Sequence, residues 1–83
     1  MAIHARDRLN SGDGFLVNCT HQSNVLVMDD HNLQRYRQGN AAKYYGGFYK
    51  RFPAVVRVPT SGYWNVLLEC PNGARYGMKT LKS

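Results

Sequence analysis

Between Leu33 and Pro59 the chain carries Arg35, Arg37, Lys43, Lys50, Arg51 and Arg57, interleaved with Tyr36, Tyr44, Tyr45, Phe48, Tyr49 and Phe52. No acid lies between His31 and Leu68. Outside this stretch the basic residues (Arg6, Arg8, Arg75, Lys79, Lys82) are balanced by the acids (Asp7, Asp13, Asp29, Asp30, Glu69), so the formal charge of +6 resides in the stretch alone. Such side chains suit one kind of chemistry. Cations attract phosphate or carboxylate, and flat rings set among them stack on bases or sugars. The planar fork of arginine matches an oxyanion. Gly46-Gly47 permits close approach and can cradle an anion with its amides. The candidate binding residues are therefore Arg35, Arg37, Lys43, Tyr44, Tyr45, Gly46, Gly47, Tyr49, Lys50 and Arg51. A plainer reading makes Phe48, Phe52 and Tyr36 core and the cations an ordinary solvated face. Charge segregation speaks for a docking surface, and both readings stand at this point.

Other chemistries find less support. Asp29-Asp30 resembles a carboxylate pair, but adjacent residues seldom point the same way, and a helix cap accounts for one of them. Cys19-x-His21 is too close for the usual zinc ligand pairs, and neither His4 nor His31 supplies a second pair, so no metal site is expected. Ser11, Ser23 and Ser61 sit in turns, and Cys19 and Cys70 fall on inward faces, so no activated nucleophile can be named. Gly12-x-Gly14 lacks the following helix and Lys-Ser or Lys-Thr pair of a phosphate loop. No catalytic residue and no cofactor are expected.

The elements that must position the basic stretch follow from periodicity. Ile3, Ala5 and Leu9 alternate with polar residues in a first strand, and Asn10 to Gly14 ends it. Phe15, Val17 and Cys19 form the inner face of a second strand. Val25 to Met28 is apolar throughout, as a strand covered on both faces would be. Asp29 or Asp30 caps a helix of about two turns on which Leu33 and Tyr36 share a face. Arg35 and Arg37 complement its C-terminal dipole, and Gly39 takes the left-handed position that ends it. Asn40 to Gly47 reads as loop, with a sharp reversal or a close backbone approach at Gly46-Gly47. Phe52, Ala54, Val56 and Val58 alternate in a strand confined by Pro53 and Pro59. Trp64, Val66, Leu68 and Cys70 face inward on the next strand, with Trp64 read as core and not as a sugar platform. Pro71-Asn72-Gly73 reads as a hairpin connection to a last strand running from Ala74 to Leu81.

These residues resemble a known family. Asn24-Val25, Leu26 to Asp29, Arg35-Tyr36, Gly39, Tyr44-Tyr45-Gly46-Gly47, the strand from Pro53 to Pro59, Ser61-Gly62 and Trp64-Asn65-Val66 follow the order and spacing of the bacterial domain-of-unknown-function family 1883. The opening strand and Ser11-Gly12-Asp13 fit as well. Arg-Tyr-x-x-Gly and Tyr-Tyr-Gly-Gly are the most specific pieces. The resemblance implies a small, β-rich bacterial domain, found alone or joined to others, including TIR-type signalling domains. It implies no activity and carries over no catalytic residue. Where the family has an acid and then a Gly-rich turn after its Trp strand, this chain reads Glu69-Cys70-Pro71-Asn72-Gly73.

The expected fold is a single all-β domain spanning 1–83. It is a small β-sandwich, or a partly open barrel, of six to seven short strands with one short helix. The N-terminal residues lack a signal peptide's apolar run, and no stretch approaches a membrane span. A cytoplasmic location with Cys19 and Cys70 reduced is the corresponding expectation. The expected function is a non-enzymatic binding module for an anionic ligand or partner: a nucleic acid, a nucleotide or an acidic protein surface. The alternative is a protein-interaction or self-assembly module, a homo-oligomer included, tied to bacterial signalling or defence. An enzyme ranks behind both.

Overall fold

The computed structural model describes residues 2–83. In chain order the elements are β1 (Ala2–Leu9), β2 (Gly14–Cys19), β3 (Ser23–Asp29), α1 (Asp30–Arg37), β4 (Tyr45–Tyr49), β5 (Ala54–Arg57), β6 (Gly62–Glu69) and β7 (Tyr76–Leu81). They form two antiparallel sheets, one ordered β1-β6-β3-β4 and the other β5-β2-β7. The sheets stay separate, so the architecture is the expected sandwich and not a barrel. Overall dimensions of 32 × 32 × 16 Å fit two stacked layers, which pack about 10 Å apart.

The alternating residues meet between the layers. Leu9, Phe15, Val17, Val25, Val27, Val56, Val58, Trp64, Val66, Leu68 and Cys70 form one buried cluster, with Ile3, Ala5, Cys19, Phe52 and Met78 packed at its margin. Cys19 is half-buried and Cys70 is buried. β3 is apolar on both faces because both are covered. Val25 and Val27 face the sandwich core, whereas Leu26 and Met28 join Leu67 of β6 beneath Leu33 of α1. The helix thus lies on the outer face of the four-stranded sheet.

Both ends of α1 are closed by local chemistry. The Asp29 carboxylate accepts from the Asn32 amide at 2.8 Å, and the Asn32 side chain donates to the same oxygen. At the other end Gly39, with φ +77°, donates to the Tyr36 carbonyl, and the Asn40 amide donates to that of Arg35. These two bonds make a Schellman closure, which glycine permits without a Cβ penalty. Another carboxylate, Asp13, is buried at the β1–β2 corner and accepts from the Asn10 and Ser83 amides. Those two amides hold it below the usual carboxylate range.

Two expectations need correction. The residues from 45 to 47 are not loop but the start of β4, which pairs along β3 from Val27↔Tyr45 to Ser23↔Tyr49. Two adjacent glycines disguise this strand in the sequence. Of the reversal or close approach expected at Gly46-Gly47, the close approach is what occurs, between Gly46 and the Val25 carbonyl. The second correction concerns Pro71-Asn72-Gly73. It forms a turn, with the Ala74 amide donating to the Pro71 carbonyl, but not a hairpin. β6 and β7 belong to different sheets, and β7 pairs with β2.

Candidate functional site

The ten candidate residues divide by which way their element turns them. Arg35 is exposed on the last turn of α1, and its Nε donates to the Ala41 carbonyl at 2.7 Å, which ties the loop after the helix to the helix itself. Lys43 is exposed; its amide donates to Asn32 Oδ1 at 2.9 Å, and its ammonium lies 5.7 Å from the centroid of the Tyr45 ring. Tyr44, Lys50 and Arg51 are exposed. Tyr45 and Tyr49 are different. Strand alternation turns both toward the inter-sheet core, where Tyr45 meets Trp64 edge to face at 6.1 Å and Tyr49 meets Phe52 at 6.3 Å. They fill space and are not open stacking platforms. Gly46 and Gly47 lie within the β4 ladder, opposite Leu26 and Val25.

Within the basic stretch the exposed rings are instead Tyr44, Tyr36 and Phe48. Phe48, the most open of them at 56%, stands opposite Asn24, which stands opposite Glu69. The Tyr36 hydroxyl donates to Glu69 Oε2 at 3.0 Å. That bond to the carboxylate holds the phenol above its usual range. Tyr36 and Phe48 therefore flank the same row of the sheet. Arg35, Lys43 and Lys50 neighbour these rings in sequence and are exposed, and these exposed cations and rings are termed the rim. Phe48 and Tyr36 are not core; Phe52 is half-buried against it.

Arg37 turns the other way. It lines a groove of about 370 Å³ between α1 and β1, together with His4, Arg6, Asp30, Leu33, Gln34, Gln38 and Asn65. Asn65 is fully buried on β6, in an otherwise apolar run. Its Nδ2 donates to Asp30 Oδ1 at 2.9 Å and, at 3.3 Å, to the Met28 carbonyl. Its Oδ1 accepts from His4 Nε2 at 2.8 Å. Arg37 Nη2 lies 3.3 Å from His4 Nδ1, and a guanidinium can only donate, so in this contact Nδ1 accepts and Nε2 carries the hydrogen given to Asn65. On the other flank Arg6 grips Asp30 with two bonds, from Nε at 3.0 Å and Nη2 at 2.7 Å. The same guanidinium stacks 4.1 Å from the Tyr63 centroid. Arg6, followed by the Asn65 amide, lowers the Asp30 carboxyl to about 2.

Of this network only Arg37 stood among the sequence candidates. His4 and Arg6 come from β1 and Asn65 from β6, two strands that pairing brings together with Arg6 opposite Asn65 and His4 opposite Leu67, and Asp30 opens the helix that ends at Arg37. The one local signal is an asparagine inside the apolar run from Trp64 to Leu68, a buried polar group that must find partners. Among the described residues no group of three or more His, Cys, Asp or Glu side chains could hold a metal, and no helix is long and apolar enough to cross a membrane.

The family profile described as Domain of unknown function (DUF1883) matches residues 2–81. The chain belongs to that family. The match takes in every strand, the helix, the exposed rim and the groove, so both surfaces lie within the DUF1883 domain proper. Comparison with curated proteins and with solved structures gave no match.

Proposed function

We propose that this DUF1883 domain is a non-enzymatic binding module of the bacterial cytoplasm that presents its basic, aromatic rim to an anionic partner, whether nucleic acid, nucleotide or acidic protein. The observation that carries this reading is the exposure of Arg35, Lys43, Lys50 and Arg51, with no acid between His31 and Leu68, beside the open rings of Tyr36, Tyr44 and Phe48. The cations supply attraction, and the rings supply stacking area that costs little conformational entropy to order. Tyr45, Gly46, Gly47 and Tyr49 hold β4 in place beneath the rim.

The test changes Arg35, Lys50 and Arg51 together to Ala and leaves Arg37, which serves the groove, untouched. Affinity for a fluorescent single-stranded oligonucleotide and for polyglutamate is measured across a salt series. Loss of three phosphate contacts flattens the log–log salt dependence on the oligonucleotide by about 2. Unchanged affinity for both probes, in a variant with an unchanged melting temperature, sinks the proposal. A second reading, self-assembly, draws on one feature: β4 is an edge strand, and Phe48 stands open on it. Concentration-dependent mass in light scattering is its signature.

A further inference from the structure

The groove between α1 and β1 is not explained by the rim. Its walls carry two arginines from distant parts of the chain, and both are positioned through one buried amide. On one side Asn65 Nδ2 fixes Asp30, which grips Arg6 with two bonds; on the other Asn65 Oδ1 fixes His4, which receives Arg37. His4 and Arg6 project from the same face of β1 two residues apart, hence about 7 Å apart along the strand. Asp30 is committed to Arg6, whereas Arg37 meets the imidazole of His4 at a long 3.3 Å. The groove is therefore left with about one uncompensated positive charge. Gln34 and Gln38 add amide donors, and Leu33 completes the lining. Its volume of about 370 Å³ suits a metabolite-sized ligand.

We propose that this groove binds the phosphate monoester group of a small molecule. Arg37 is the primary contact: its guanidinium leaves the weak bond to His4 and takes two phosphate oxygens in a fork. The free edge of Arg6 and the amides of Gln34 and Gln38 supply the remaining donors. Asn65 is a positioning residue that sets both flanks in place before the ligand arrives. The site is separate from the rim in its residues, so either proposal can fail without the other.

The experiment is a two-dimensional amide and side-chain NMR titration of the full chain with inorganic phosphate, ribose 5-phosphate and ribose as separate arms. Saturable shifts are expected at His4, Arg6, Gln34, Arg37 and the Asn65 side-chain amide, from both phosphate-bearing probes and not from ribose. Ribose 5-phosphate should bind more tightly than phosphate alone. Arg37→Ala should weaken binding at least tenfold, while Arg75→Ala, at an exposed arginine just before β7 in the other sheet, should leave it unchanged. Asn65→Leu, which keeps an apolar interior at that position, should weaken it comparably in a folded domain. Shifts that fail to saturate, shifts that spread over Lys43, Lys50 and Arg51, or equal losses in Arg75→Ala and Arg37→Ala would each overturn the proposal. So would intact binding in a folded Asn65→Leu variant.

Discussion

Replacing Gly46 by Ala should cost far more than replacing Gly47, although the two are adjacent on one edge strand. Gly46 has φ +102°, a conformation that an L side chain adopts only under strain of about 1–3 kcal/mol. A Cβ there would also collide with the Val25 carbonyl oxygen and stand 3.6 Å from Val56 Cγ2. Val25 cannot yield, because β3 is an inner strand held between β6 and β4. The edge strand must move instead, and each ladder bond that it loses costs about 0.5–1.5 kcal/mol. The sum is about 3–5 kcal/mol, a large part of the roughly 4–12 kcal/mol expected for a domain of this length. Gly47, with φ +149°, has nothing within 4 Å of its virtual Cβ. Only the backbone strain remains, about 1–2 kcal/mol. Urea unfolding can be followed by the fluorescence of Trp64, which is buried and meets Tyr45 of β4. With a urea slope of about 1.5 kcal/mol/M, the midpoint should fall by about 2–3 M for Gly46→Ala and by about 1 M for Gly47→Ala. Equal losses, or a larger loss at Gly47, would refute the argument that contact with β3 dictates this glycine.

Two further outcomes follow from the electrostatics of α1. Asp30 titrates at about 2 in the folded chain against an ordinary 3.8, so its stabilisation is fully present above about 4 and fades as the pH falls toward 2. Because Arg6 and Asp30 are each about half exposed, the contribution is no more than about 1 kcal/mol; Asp30→Asn should remove that slope from stability measured across pH 5 to 2, and an unchanged slope would contradict it. Asp29→Ala removes the acceptor for the Asn32 amide and side chain and should lower stability by about 1 kcal/mol, read as a fall of several degrees in melting temperature.

What the sequence discloses and what it hides divide along physical lines. Alternation in Phe15-Val17, Ala54-Val56-Val58 and Trp64-Val66-Leu68 reports the core because side-chain direction has period two and burial is selective. Asp29 and Gly39 mark the helix because caps are satisfied within a few residues. β4 escapes because two of its five residues are glycine, and glycine more often signals a turn; Tyr45, Gly47 and Tyr49 do keep the alternation, which is the signal that could have found it. The pairing of β7 with β2 and not with β6 depends on which sheet a strand joins, and no local pattern encodes that. The same limit hid the groove. The charge and rings of the rim lie in one continuous stretch and can be read directly, whereas His4, Asp30 and Asn65 become neighbours only once β1, α1 and β6 are in register.

The order of the strands also has a kinetic meaning. Every link between consecutive strands crosses from one sheet to the other except β3–α1–β4, and that one contains a helix. No tight hairpin exists from which pairing could zip outward. β1 finds its partner only when β6, more than fifty residues later, has been made. Loop closure over such distances must precede the contacts that reward it, so the domain should fold slowly for its size and in a single all-or-none step. α1 with β3 and β4 is the one segment able to organise early, and it carries most of the rim.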